Sequence, residues 1–521
     1  MTAALREPGL DKRIDADAVA ATIEDGATIL LASNGGGMLE ADFVYAAIEQ
    51  RFLTTGHPRD LTLVHALGIG DGKERGLNRF AHEGMVARVI GGHWSWSPRM
   101  QALAEAELIE AFVLPAGCIA LRNREVGAGR PGLITHVGLG TFADPRLGGG
   151  AANERARRSG TRLVELIEIG GEEKLRYLPF RADLAIVGGS VADPAGNVSF
   201  VHEAADLDAL AAVTAAHAGG GRVIVQVGEL VPRHALPARQ VALPGILVDH
   251  VVHCPDQQQS YIGKFDPAMS GEVPRPDGEP PLDEPVEFGP RLIIARRAAE
   301  EIRAGASVNF GYGIPGAIPG VLRQKGLMQT LWVTVEQGIH NGDLYDGFMF
   351  GAARYPEAIV SSTRQFDFYS GGGIDVGFLG MGEMDRDGNV NVSRLGSRIV
   401  GPGGFVDISQ NAKEVVFCGT FDAKGTSYRH EPGRLVLEAP GQVRKLVEQV
   451  REVTFSGHYG RVRGQEVLYV TERAVFRLAP DAIELVEVAP GIDPKADVIE
   501  QMGFVPQVAN PLRTMPPALF S

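Results

Sequence analysis

Residues 302–320 read "IRAGASVNFGYGIPGAIPG", and residues 23–41 read "IEDGATILLASNGGGMLEA". Each stretch passes from a helix end through a glycine turn into a short apolar strand, then into a glycine-rich loop. The two align at an offset of 302 − 23 = 279. A second pair, "DLAIVGGSVADPAGNVSF" (183–200) and "DVGFLGMGEMDRDGNVNV" (375–392), aligns at 375 − 183 = 192, and that offset also carries Val223 onto Val415. One register held across two strands and a D-x-x-G-N turn predicts an internal duplication. "RVIVQV", "LWVTV" and "VVFCGTF" are continuous apolar runs, the pattern of parallel strands covered on both faces. Between such runs lie amphipathic helices, for example "LIIARRAAEEIRAG", where Ile294, Ala298 and Ile302 share a face. The predicted fold class is α/β: two related open α/β domains over residues 1–258 and 290–521, joined by a Pro-rich linker over 259–289. The linker sits in a Pro-, Asp- and Gln-rich stretch without sustained periodicity (254–290).

Composition bounds the function. A chain of 521 residues, 44% hydrophobic and 22% charged, builds globular domains with substantial cores. Its formal net charge of −14 argues against nucleic acid or an anionic membrane as the main partner. An anionic small molecule stays open, because backbone N–H groups and a few local cations suffice to hold one. The sparse cysteines Cys118, Cys254 and Cys418 read as reduced thiols, and the N-terminus lacks the apolar core of a signal peptide, so a cytoplasmic location is expected.

In "LWVTVEQGIHNG" (331–342) a strand ends by delivering one carboxylate, Glu336. Two chemistries compete for it. Gly311, Gly313 and Gly316 have G-x-G-x-x-G spacing, and Glu336 follows Gly316 by 336 − 316 = 20 residues, the pattern of a dinucleotide-binding oxidoreductase. Alternatively, a carboxylate ionised at neutral pH attacks a thioester with no general base, giving an acyl-glutamyl anhydride and then a glutamyl-CoA thioester. That chemistry needs backbone N–H donors for the oxyanion and glycine where the pantetheine arm comes close. The loops "GYGIPG" and "GPGGF" (401–405) offer both.

Several motifs together carry a family resemblance. "VIGGHWSWSP", "GRPGLITHVGLGTFADPR" and "LPGILVDHVV" lie in the first half; "NFGYGIP", "VTVEQG", "GMGEMDRDGNVNVSRLG" and "GPGGFVDISQNAKEVVFCGTF" lie in the second. The chain resembles the fused, single-chain family I CoA-transferases, the acetate and propionate type related to succinyl-CoA:3-ketoacid CoA-transferase. The resemblance implies a CoA-transferase of short-chain acyl-CoA metabolism, with Glu336 as nucleophile. It also implies CoA or oxyanion contacts from Gly311, Tyr312, Gly313, Ile314 and Pro315, and from Gly401, Gly403 and Gly404. Asn34, Gly35, Gly36, Trp94, Ala116 and Gly117 are candidates for the acyl or acceptor pocket. No metal and no tightly bound cofactor are expected; coenzyme A is substrate and covalent intermediate. The implied assembly is a homodimer or homotetramer. His340 and Asn341 depart from the family's glycine-rich turn after the nucleophile, which keeps a thioester hydrolase on the same fold in play. A non-catalytic acyl-CoA sensor is a third alternative.

Other features read as structural. His250, His253 and Cys254 fit no zinc spacing, the Asp193/Asn197 and Asp385/Asn389 pairs are turn chemistry, and "NERARRSG" (153–160) is the solvent face of a helix. "HWSWSP" (93–98) supports either a packed core or an acyl pocket, with Trp94 and Trp96 placed on one face by strand alternation.

Overall fold

The computed structural model describes residues 11–282 and 286–521. Two large sheets organise the chain. In the first, Leu184–Ala192 is central, and every residue of that nine-residue strand is buried. On one side it pairs in parallel with Thr28–Ala32, followed outward by Leu61–His65, Val86–Gly91 and Glu110–Val113. On the other side come Arg222–Leu230 and then His250–His253, again parallel. In the second sheet Trp332–Val335, Ser307–Phe310, Val376–Gly380, Glu414–Cys418 and Glu466–Val470 run parallel in that order. Ala474–Leu478 and Ile483–Val488 then add in antiparallel fashion, and Gln507–Thr514 closes that edge in parallel with the last of them.

The repeat holds at the level of register. Ile29 faces Leu184 as Val308 faces Val376, and Leu184 faces Arg222 as Val376 faces Glu414. Those pairs preserve the offsets of 279 (308 − 29) and 192 (376 − 184). The turns repeat too. Asp193 accepts from the Asn197 backbone N–H at 3.1 Å and its side-chain amide at 2.9 Å; Asp385 does the same for Asn389 at 3.0 and 3.0 Å. Both asparagines then accept a distant backbone N–H, from Gly245 and Gly457. These Asx turns clamp loops where a parallel strand leaves the sheet.

Two expectations need correction. The helix at Pro290–Ala298 gives way to a tight turn at Ala299–Glu301, so Ile302 is extended and lies outside the helix. The segment after 254 connects the halves but is no free spacer. Tyr261 N–H donates to Gly36 O at 2.7 Å, Tyr355 N–H donates to Ala268 O at 2.7 Å, and Met269 is buried with Met38 and Met349. Its polar composition hid a few apolar anchors that strap the two halves together. Among the described residues no helix is long and apolar enough to cross a membrane.

Candidate active site

Parallel sheets bind ligands beyond the carboxyl ends of their strands, and Glu336 is the first residue past Trp332–Val335. Gly338 (φ +98°) then turns the chain back, and a Cβ there would collide with Val360 O. The strand is set from behind: Asn309 Nδ2 donates to Thr334 O at 3.0 Å, and Tyr369 O–H donates to Thr334 Oγ1 at 3.1 Å. Glu336 is 8% exposed, on the floor of a cavity of about 620 Å³ between the halves. Burial raises its pKa above the ordinary carboxylate value, opposed by its own amide and that of Gly404. The loop at 401–405 approaches closely because Gly403 and Gly404 lack side chains. A Cβ on Gly404 would stand 3.1 Å from Glu336 Cβ, and one on Gly403 (φ +56°) 3.7 Å from Oε1. Behind this loop Gly117 N–H donates to Asp407 Oδ2 at 3.1 Å, and burial pushes Asp407 up to about 7, with the Glu336 charge adding to the shift.

The halves close the cavity from two sides. Asn34, Leu67, Gly68, His93, Ser95 and Trp96 come from the first half; Gly311, Tyr312, Ile314, Phe350, Gly401 and Gly403 are among those from the second. Gln337 Nε2 donates to Asn34 Oδ1 at 3.1 Å, and Asn34 Nδ2 donates to Phe350 O at 3.2 Å, tying the walls beside Glu336. His93 is pushed down to about 4, mainly by burial and further by His65, and stands neutral.

Of the residues singled out from the sequence, Glu336, Gly311, Tyr312, Ile314, Gly401, Gly403 and Asn34 line the cavity. Gly404 packs on the Glu336 side chain, whereas Gly313 and Pro315 sit outside the lining. Five pocket assignments change. Trp94 is fully buried and donates to Gly91 O at 3.3 Å, because the strand ends at Gly91 and "HWSWSP" is a turn without alternation. Trp96 takes the wall position instead. Ala116 donates its N–H to Gly403 O at 3.0 Å and, with Gly117, buttresses the loop rather than facing substrate. Gly35 and Gly36 lie behind the wall, against Trp96 and Met349. His340 accepts from Trp332 Nε1 at 2.9 Å and Asn341 accepts from Val333 N–H at 2.8 Å, so both finish the sheet edge and neither lines the cavity. Phe350, Gln337 and Arg398 were missed; a repeated aromatic in "GFMFG" (347–351) was the available signal for the first. A larger cleft of about 820 Å³ shares no lining residue with this cavity, and its Arg275 is paired with Asp343.

The family model described as Coenzyme A transferase matches residues 14–254. The chain is 40% identical over 519 residues to a caffeate CoA-transferase of Acetobacterium woodii, covering 98% of this chain and 97% of that one. It is 38% identical over 502 residues to the acetate CoA-transferase YdiF of Escherichia coli K12, covering 96% and 93%. The chain belongs to the coenzyme A transferase family. A crystal structure of the acyl-CoA transferase YdiF from E. coli O157:H7, described as a thioester complex with CoA, superposes with a TM-score of 0.90 at 36% identity, covering 98% of this chain and 96% of that chain. The oxidoreductase alternative ends here. The G-x-G-x-x-G loop of this CoA-transferase leads into the transferase cavity, and its third glycine backs onto Asp346.

Proposed function

We propose that Glu336 is the nucleophile through which this CoA-transferase moves coenzyme A from an acyl-CoA to a free carboxylate. The observation that carries the reading is a lone buried carboxylate on the cavity floor, held against a glycine loop by the Gly404 amide. The carboxylate attacks the thioester carbonyl; the C–S bond breaks and CoA leaves as a thiolate, giving a mixed anhydride. The thiolate then attacks Cδ of Glu336, a new C–S bond forms, and the first acid departs as a carboxylate. The glutamyl-CoA thioester keeps the activation, and a second carboxylate reverses both steps. No proton moves, so no general base is required.

Burial withholds water from the carboxylate and from the anhydride, which protects the latter from hydrolysis. The Gly404 backbone amide, which already faces the Glu336 carboxylate, is assigned to the developing oxyanion, a contribution of a few kcal/mol. The Gly311 and Gly403 amides are held by Phe378 O and Gly92 O and fix the shape of the two loops. Gly311, Tyr312, Ile314 and Gly401 are assigned to the pantetheine arm. The acids named for the relatives, acetate and caffeate, are both monocarboxylates, and that class is assigned here.

The test is to incubate the enzyme with an acyl-CoA and no acceptor, then add hydroxylamine. Peptide mapping is expected to find a hydroxamate at Glu336, with none in Glu336→Ala. A hydroxamate elsewhere, or unchanged transfer by that variant, overturns the assignment.

A further inference from the structure

The scheme above uses the second half's loops and leaves the first half's wall without a task. That wall centres on Trp96, whose indole lies in a cradle of two glycines. A Cβ on Gly35 would stand 2.5 Å from Trp96 Nε1, and one on Gly68 would stand 2.7 Å from Trp96 Cδ1. Neither position accepts a side chain while the indole keeps its place. The backbone is pinned as well: Trp96 O accepts the Gly72 N–H at 2.9 Å and Asn78 Nδ2 at 3.1 Å.

From the other half Tyr312 meets the indole edge-on at a centroid distance of 6.5 Å, and Phe350 meets Tyr312 edge-on at 5.8 Å. These three rings line one cavity with Glu336, and Tyr312 is 55% exposed, an apolar face open to whatever enters. The other lining residues from the first half, Asn34, Leu67, Gly68, His93 and Ser95, include no lysine or arginine. Arg398 is the one lysine or arginine among all the lining residues, and it is exposed on a hairpin of the opposite half.

We propose that Trp96, locked in its glycine cradle and completed by Tyr312 and Phe350, is the acyl-selecting wall: it seats an uncharged apolar or aromatic acyl tail and rejects one bearing a second carboxylate. The proposal rests on the assignment of Glu336 as nucleophile. A flat tail gains edge and face contacts with rings that are already immobile, so little ordering offsets them. A second carboxylate would lose its water against a wall that offers it no cation.

The test compares acetyl-CoA, benzoyl-CoA and succinyl-CoA in single-turnover hydroxamate formation at Glu336 and in steady-state transfer to acetate. In the unaltered enzyme, succinyl-CoA is expected to label Glu336 at least about a hundredfold more slowly than either neutral donor. Trp96→Ala should lower the benzoyl-to-acetyl ratio of kcat/KM at least about tenfold, chiefly through KM, and Trp96→Phe should restore most of that ratio. Succinyl-CoA labelling as fast as acetyl-CoA overturns the proposal. So does a Trp96→Ala enzyme in which every donor changes by the same factor, the mark of a merely structural tryptophan. Failure of all three donors to label Glu336 counts instead against the nucleophile assignment beneath it.

Discussion

Gly404→Ala isolates the contact that aims the proposed nucleophile. The backbone at 404 (φ −81°, ψ 2°) suits alanine, so the substitution introduces no conformational strain. Its methyl group would stand 3.1, 3.2 and 3.3 Å from Cβ, Cγ and Cδ of Glu336. Unstrained carbon contacts begin at about 3.5 Å, so the carboxylate must move by a few tenths of an ångström. It is 8% exposed, and its hydrogen bond from the Gly404 amide is the one the displacement stretches. A charge-assisted bond of this kind contributes about 1.5–3 kcal/mol, and weakening it by half predicts a three- to tenfold loss in acylation. Misaimed attack raises the loss toward a hundredfold. The assay is the single-turnover rate of hydroxamate formation at saturating acyl-CoA, with KM measured separately. KM should change little, because Gly404 is not part of the cavity lining. Gly403→Ala is the comparison: its methyl would stay 3.7 Å from Oε1, but φ is +56°, so the defect expected is about 1 kcal/mol of stability. A Gly404→Ala enzyme that acylates at the unaltered rate, with Glu336 confirmed as the labelled residue, refutes the idea that this loop positions the carboxylate.

As the proposed nucleophile Glu336 must be ionised, and burial raises its pKa, so activity is lost earlier as pH falls; the acid limb of kcat/KM should lie above the ordinary glutamate value of about 4.3. A limb at or below that value contradicts the buried site. Asp407, pushed up to about 7, holds a proton in the folded chain that an unfolded aspartate near 3.9 releases. Its share of stability is complete below about pH 4 and is lost as pH rises through 7, so thermal melts of Asp407→Asn should decline less between pH 5 and 8 than those of the unaltered enzyme. Trp94→Ala should cost about 3–5 kcal/mol in denaturant unfolding, as for a fully buried side chain. An exposed-site effect below about 1 kcal/mol would contradict its place in the core.

The parts of the fold legible in the sequence are those that local chemistry dictates. Parallel strands covered on both faces must be continuous apolar runs, so "LWVTV" and "RVIVQV" announced themselves, and a lone carboxylate at such a strand's end is conspicuous. The D-x-x-G-N turns were legible because Asp and Asn there satisfy backbone donors within four residues. What stayed hidden is non-local. Trp94 and Trp96 look alike in "HWSWSP", and only the end of the strand at Gly91 sends one inward and the other to the cavity. Gln337 gains its meaning from Asn34, 303 residues earlier. Ala116 was a candidate for the acyl or acceptor pocket, yet its backbone N–H supports Gly403. Each error came from assigning a side chain to a surface before the opposing surface was known.

The duplication also bears on why there is one proposed nucleophile rather than two. Thr28 faces Thr62 as Ser307 faces Trp332, so residue 62 corresponds to 332 and Glu336 corresponds to Ala66 (336 − 332 + 62 = 66). Ala66 is 2% exposed, and its carbonyl is backed so closely by Gly92 that even a methyl on that glycine would collide with it. A carboxylate at 66 would start from backbone enclosed beneath that contact, without the glycine loop that opens space around Glu336. The two residues that follow, Leu67 and Gly68, do reach the cavity, one as a wall and the other as part of the tryptophan cradle. The same strand end therefore delivers a reactive group from one half and a shaped surface from the other. A thioester reaction needs only that pair, since the carboxylate requires no base and the acyl group requires a seat. Symmetry in the backbone has been kept where it builds sheets and turns, and abandoned at the strand ends where a second buried charge would raise the pKa of the first.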